Sequence, residues 1–174
     1  MARPVSNRPT SNRAVLTFAL AIGVIVADQA LKAWLLGPFH LAALGSAPLF
    51  GPVQLTLVQN PGVSFGLFRA DADLMRWVLV GFSGLVAAVL AVWATRVSRP
   101  LLAIALGLVM GGAVGNLIDR VRWGTVVDFI DIHELMFPWV FNIADSAITI
   151  GVVFLLLDSL RKESHPQAVE EARP

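Results

Sequence analysis

Two aspartates, Asp128 and Asp145, stand in apolar company. Asp128 follows Val126-Val127 and precedes Phe129-Ile130, and Asp145 lies within Phe141-Asn142-Ile143-Ala144-Asp145-Ser146-Ala147-Ile148. Charge at bilayer depth is costly, and a carboxylate found there marks function by default. Two carboxylates held close resist double ionisation, so one keeps its proton near neutrality while the other is ionised. The ionised one can take a proton from water and the protonated one can donate to a carbonyl oxygen, which together hydrolyse a peptide bond. Which aspartate plays which part is not written in the sequence, because such a pair titrates as a unit. In a soluble chain each would be better read as a helix cap or an arginine's partner. Three further residues, Asn116, Arg120 and Asn142, are of the type that donates hydrogen bonds to an oxyanion or to a substrate backbone.

The elements that must position these groups are membrane helices. Hydrophobic residues make up 56% of the 174 and charged residues only 14%, against roughly 25% charged in an ordinary soluble domain. Four apolar stretches, about 14–36, 74–95, 100–119 and 139–160, are each near the length that crosses a hydrocarbon core. The expected fold is an all-α membrane protein, a four-helix transmembrane bundle forming one domain over 13–162, flanked by disordered cytoplasmic tails at 1–12 and 163–174. The run Ala14–Ala27 is read as part of an uncleaved span, since apolar character resumes after Lys32. A net charge of +1 with no basic stripe argues against nucleic acid as partner. Arg3, Arg8, Arg13, Arg96, Arg99, Arg161 and Lys162 flank three span ends and place both termini in the cytoplasm. The active site then lies near the outer leaflet, and Arg120 and Arg122, outside against the rule, have work other than orientation. No cysteine is present, so neither a thiol nucleophile nor a thiolate metal site is available.

Between the spans the patterns are more specific. Asp28 and Lys32, four apart on one helical face, pair in the acid-first order, with a lipid-phosphate contact as a second use for the lysine. The first outward connection alternates Val53, Leu55 and Leu57 with Gln54 and Thr56. It then turns at Asn60-Pro61-Gly62 and continues in a second extended piece, Val63–Phe68, so a small β-sheet or hairpin on the membrane surface is expected. Gly107, Gly111 and Gly115 stack on one face of the third span, where small residues let helices approach closely. In the fourth, Asn142, Asp145 and Thr149 share a face, and Trp123, Phe137 and Trp139 fit an interfacial aromatic belt.

The blocks Gly112-Ala113-Val114-Gly115-Asn116-Leu117-Ile118-Asp119-Arg120, Gly124-Thr125-Val126-Val127-Asp128-Phe129-Ile130-Asp131 and Phe141-Asn142-Ile143-Ala144-Asp145-Ser146 resemble those of the lipoprotein signal peptidases, also called signal peptidase II. Asp28-Gln29-Ala30-Leu31-Lys32 and Asn60-Pro61-Gly62-Val63-Ser64-Phe65-Gly66 agree in order, and the likeness covers about 14–160. The resemblance implies an aspartic endopeptidase of the bacterial inner membrane. Its substrate would be a prolipoprotein, cut on the amino side of a diacylglyceryl-modified cysteine, with Asp128 and Asp145 as the catalytic dyad. It implies dyad-supporting or substrate-orienting roles for Asn116, Asp119, Arg120 and Asn142, and structural or substrate-facing roles for Asp28, Lys32, Asn60, Gly62 and Gly112. Val63 and Ser64 depart modestly from the family's loop block and bear on substrate preference. Membrane lipid and the lipidated substrate are the partners expected of a monomer, with no cofactor.

Rival chemistries have weaker support. A metal site from Asp128, Asp131 and His133 is loosely spaced, and no His-Glu-x-x-His occurs. Ser64 and Ser146 lack a nucleophile elbow and a positioned base. A small ion or proton transporter needs polar residues through the whole thickness, yet Gly151–Leu157 and Val15–Val26 offer almost none. A four-span scaffold leaves the aspartate pair without a purpose.

Overall fold

The computed structural model describes residues 9–62 and 72–163. Four long helices carry the molecule: α1 (Pro9–Leu36), α3 (Ala72–Ala94), α4 (Pro100–Trp123) and α5 (Ile143–Glu163), with a single-turn α2 (Leu41–Leu44) after the first. All four are long and apolar enough to cross a membrane. α4 is the hub, packing on α1, α3 and α5. Accordingly, 67% of its most apolar stretch is buried inside the protein, against 11% to 22% for the other three, whose apolar faces are left for lipid.

The approach of α1 and α5 to α4 is set by glycine. A Cβ on Gly107 would lie 2.7 Å from the Thr17 carbonyl oxygen and one on Gly111 2.7 Å from that of Ala21, so both glycines seat α1. Gly115 lies between Ala144 of α5 and Asp28 of α1, and Gly112 abuts the Ala144 carbonyl so closely that no side chain fits. The stacked face expected from the spacing exists, and it divides between two neighbours.

Several helix boundaries differ from the sequence reading, among them the end of α4, which runs past 119 to Trp123. α1 begins at Pro9, ahead of 14, with proline in the first turn where its missing N–H costs nothing. The fourth helix begins at Ile143 rather than near 139, because Val140–Phe141 forms a strand instead. The expected small sheet is present and larger than a hairpin of the first connection. It has four antiparallel strands in the order β1 (Ser46–Phe50), β2 (Val53–Asn60), β3 (Val126–Asp131), β4 (Val140–Phe141). The second connection piece, Val63–Phe68, lies outside the described residues. Between Leu55↔Ile130 and Val58↔Asp128 the register of β2 against β3 gains one residue, a bulge in β2. Leu35, Leu41, Leu55 and Phe129 form a buried cluster that fixes the sheet to the end of α1.

Candidate active site

β3 leaves α4 through Gly124, whose φ of 81° is the left-handed conformation that ends a helix sharply and that glycine adopts without strain. Four residues later, Asp128 is delivered to the interior at 1% exposure. Asp145 comes from the first turn of α5, and Asn142 caps that helix. The Asp145 N–H donates to Asn142 Oδ1 at 2.8 Å while the Asn142 N–H donates to Asp145 Oδ2 at 3.4 Å, a reciprocal capping box. Asn142 is thus a cap, not a helix-face residue. Its amide then reaches the other acid, with Nδ2 donating to Asp128 Oδ1 at 2.7 Å.

Asn116, buried on α4, completes the link. It donates to Asp145 Oδ1 at 2.7 Å and accepts from Asn142 Nδ2 at 3.2 Å. Asn60 at the end of β2 donates to Asp128 Oδ2 at 3.0 Å, and its own Oδ1 accepts the Gly62 N–H at 2.8 Å. Gly62 has a φ of 79°, and a Cβ there would fall 3.3 Å from Arg120 Nη2 and 2.7 Å from Leu79 Cδ1, so a side chain would strike both. Both carboxylates therefore accept side-chain amide hydrogen bonds, and Asn142 is shared between them. Burial pushes the Asp128 carboxyl up to about 6, with the Asp145 charge adding to the rise and the Asn60 and Asn142 hydrogen bonds opposing it.

Asp128 and Asp145 open on one cavity of about 780 Å³, walled by Val58, Asn60, Pro138, Trp139, Val140, Phe141, Ser146, Thr149 and Ile150. A smaller one of about 290 Å³ lies between Leu79, Phe82, Ser83 and Val86 of α3, Val109 and Ala113 of α4, and Ile148 of α5, with Asn116 and Arg120 at its polar end. Asn116 lines the smaller cavity and hydrogen-bonds the acid of the larger. Of the apolar walls, Val58 was not singled out in the sequence, Phe141 was read as part of the fourth span, and Trp139 was read as part of an interfacial aromatic belt.

Asp28, Lys32 and Asp119 do not touch the dyad. Lys32 Nζ sits 2.7 Å from Asp28 Oδ2 and 2.6 Å from Asp119 Oδ2, all three side chains at 0% exposure. The expected ion pair is present with a second acid, and full burial rules out lysine contact with lipid phosphate. Gln29, overlooked as a functional residue, donates to Asp119 Oδ1 at 2.7 Å and to the Gly115 carbonyl at 3.3 Å. Its signal was its place between two buried charges. Arg120 donates to the Asn116 carbonyl at 3.5 Å, and its buried Nε has no partner among the described residues. Arg76, also missed, clamps the end of α4 by donating to the carbonyls of Arg120 at 2.7 Å and Val121 at 2.8 Å.

The residues weighed as metal ligands do not converge. Asp128 and Asp131 are an odd number of residues apart on β3 and face opposite ways. Asp131 Oδ1 instead receives the His133 N–H and lies 2.9 Å from its Nδ1. Among the described residues there is no group of three or more potential metal-binding side chains.

The model of the signal peptidase (SPase) II family matches residues 20–161. The chain belongs to the signal peptidase II family. It is accordingly an aspartic peptidase. It is 54% identical over 151 residues to the lipoprotein signal peptidase of Caulobacter vibrioides, covering 86% of this chain and 89% of that one. It is 43% identical to that of Methylobacterium sp. strain 4-46, covering 88% and 94%. Two solved bacterial membrane enzymes, obtained by the in meso method at 2.3 and 1.9 Å, share the fold. Their TM-scores are 0.71 and 0.68 at 28% and 29% identity, covering 87% and 83% of this chain and 91% and 92% of theirs. The four-helix bundle with its small sheet is therefore the architecture of a signal peptidase II.

Proposed function

We propose that this protein removes signal peptides from prolipoproteins in the bacterial inner membrane. It would cut on the amino side of a diacylglyceryl-modified cysteine, with water activated between Asp128 and Asp145. The observation that carries the reading is a single asparagine, Asn142, hydrogen-bonded to both acids, which themselves line one cavity. Asp128, raised to about 6 by burial, holds the shared proton and donates it to the scissile carbonyl oxygen. Asp145 takes the proton of the attacking water. As the tetrahedral intermediate collapses, the proton collected by Asp145 passes to the leaving nitrogen, and Asp128 recovers its own from the gem-diol hydroxyl that becomes the new carbonyl. Asn116 and Asn142 keep the two carboxylates oriented, and Arg120, with Asn60 and Gly62 beside it, is placed to hold substrate backbone.

The largely apolar walls of the larger cavity suit acyl chains, and two chains supply the stable anchoring that one cannot. Binding energy from those chains, remote from the scissile bond, positions it against the dyad. The arginine-bearing ends face the cytoplasm in this reading, the sheet and dyad face outward, and one domain over 13–162 acts as a monomer.

The test is cleavage of a diacylglyceryl prolipoprotein by the purified protein, beside the unmodified precursor. Asp128→Asn and Asp145→Asn each lower turnover at least about a hundredfold while the bundle stays folded, and the unmodified precursor is cut far more slowly. Near-wild-type turnover in either variant removes that aspartate from the mechanism, and equal rates on both substrates mean the lipid is not read.

A further inference from the structure

The three buried charges beneath the dyad are arranged in a way that ion pairing alone does not require. Asp119 Oδ2, besides meeting Lys32, accepts the backbone N–H of Val127 at 3.1 Å. Asp28, whose Oδ2 meets Lys32, accepts the backbone N–H of Ala144 through Oδ1, also at 3.1 Å. Val127 is the residue immediately before Asp128, and Ala144 the residue immediately before Asp145. One continuous chain of contacts therefore runs from the backbone behind one acid, through Asp119, Lys32 and Asp28, to the backbone behind the other. The two backbones belong to separate elements, β3 and α5, and the two carboxylates gripping them are joined by the Lys32 ammonium, with Gln29, also on α1, as a neutral second bridge.

We infer that Lys32 is a positioning residue that sets the spacing of Asp128 and Asp145 by drawing Asp119 and Asp28 onto one ammonium. The inference rests on the proposed dyad. Burying such a cluster is expensive and contributes little net stability compared with an apolar replacement. Its return is geometric. Two carboxylates that must share one proton tolerate little error in separation, and a misplacement of about 1 Å costs on the order of a hundredfold in rate. Gln29 braces the same cluster from the side through Asp119 Oδ1 and Asp28 Oδ2. Gly115, with no side chain to intrude, leaves room for Asp28 beside Ala144.

The informative variant is the double change Lys32→Met with Asp28→Asn. It leaves the cluster's formal charge unchanged, and an asparagine at 28 still offers an oxygen to the Ala144 N–H while Asp119 still holds Val127. Only the charged link between them is gone, while the neutral bridge through Gln29 remains. Lys32→Arg, which keeps the charge and alters the reach, is made beside it in case the double variant does not fold. For the folded variants the expected result is a fall in kcat of about a hundredfold with KM within about threefold. The pH–rate profile also changes shape, because acids held at another spacing couple differently. A merely structural role would scale the height of the profile with the folded fraction and leave its limbs in place. That outcome, or a kcat within about threefold of wild type in the folded variants, overturns the inference. Asp145→Asn is run in parallel. If it is inactive while the lysine variants keep full kcat, the spacing role fails and the dyad stands. If it is active, the dyad itself fails.

Discussion

The two ends of the bundle are held together by different physics. At the end away from the sheet, Ala21, Leu90, Val97, Leu102, Ala103, Leu106, Val109 and Met110 make a dry cluster, with α1 drawn close by Gly107 and Gly111. At the sheet end, beside the apolar cluster of Leu35, Leu41, Leu55 and Phe129, the buried polar side chains include Asp28, Lys32, Asn116, Asp119, Asp128 and Asn142, each with a hydrogen-bonding or charged partner. Van der Waals packing in lipid is forgiving, because many arrangements of small and branched side chains fill the same space. A polar network in a low-dielectric interior is not, since any member that loses its partner carries the full desolvation cost. The molecule keeps its tolerance at one end and its precision at the other.

The sharpest way to break this division is at Gly112, which belongs to the packing stripe yet touches the site. In Gly112→Val the new side chain meets the Ala144 carbonyl and must push the start of α5 away from α4. Cleavage falls by about a hundredfold or more, and the unfolding midpoint in detergent drops with an overpacking cost of about 1–3 kcal/mol. A Gly112→Val enzyme with normal turnover would mean that the α5 start is not held to tight tolerance.

A second comparison uses pH. Asp128 titrates near 6 in the folded protein, above the roughly 3.9 of an unfolded aspartate. The folded state therefore binds this proton more tightly. Its contribution to stability is present below about 4, declines as pH rises from about 4 through 6, and stays lost above that, by at most about 3 kcal/mol. Asp128→Asn cannot make this titration. Thermal midpoints at pH 4.5 and 7.5 should show wild type losing ground to the variant at the higher pH, and parallel shifts would deny the raised affinity.

The smallest effect on chemistry is expected at the dry end. Leu106→Ala, at a fully buried position, should cost about 2 kcal/mol, the low end for such truncations, because transfer into lipid carries no hydrophobic penalty and only lost contacts count. Its kcat and KM should match wild type. A large fall in kcat would show that the two ends are not independent.

Much of this was legible before the structure. The four helices, the aspartates and the glycine face follow from residue type and spacing, since length and apolarity alone define a span and a buried acid is conspicuous. The start of the fourth helix was not, because Trp139-Val140-Phe141 is equally apolar as helix or strand and only pairing with Ile130 and Asp131 decides it. Asn142 was read by helical period, whereas Asn-x-x-Asp ahead of an apolar run is also a capping pattern, and the cap won. Asp119 was given a dyad-supporting or substrate-orienting role by resemblance alone. Its partner proved to be Lys32, a residue 87 positions away in sequence, which no local pattern signals.

The bulge in β2 has a consequence of parity. Side chains alternate along a strand, so an added residue exchanges which of them face each side from that point on. With it, Val58 stands opposite Asp128 and Asn60 opposite Val126, on the Asp128 side. Without it Leu57 and Gln59 would take those places, and the amide that now holds Asp128 Oδ2 would be carried to the other face. The stretch from Thr56 to Leu57 thus behaves like a reading frame: substitutions there change one side chain, but a single-residue deletion would rewrite every contact from there to the turn at Gly62.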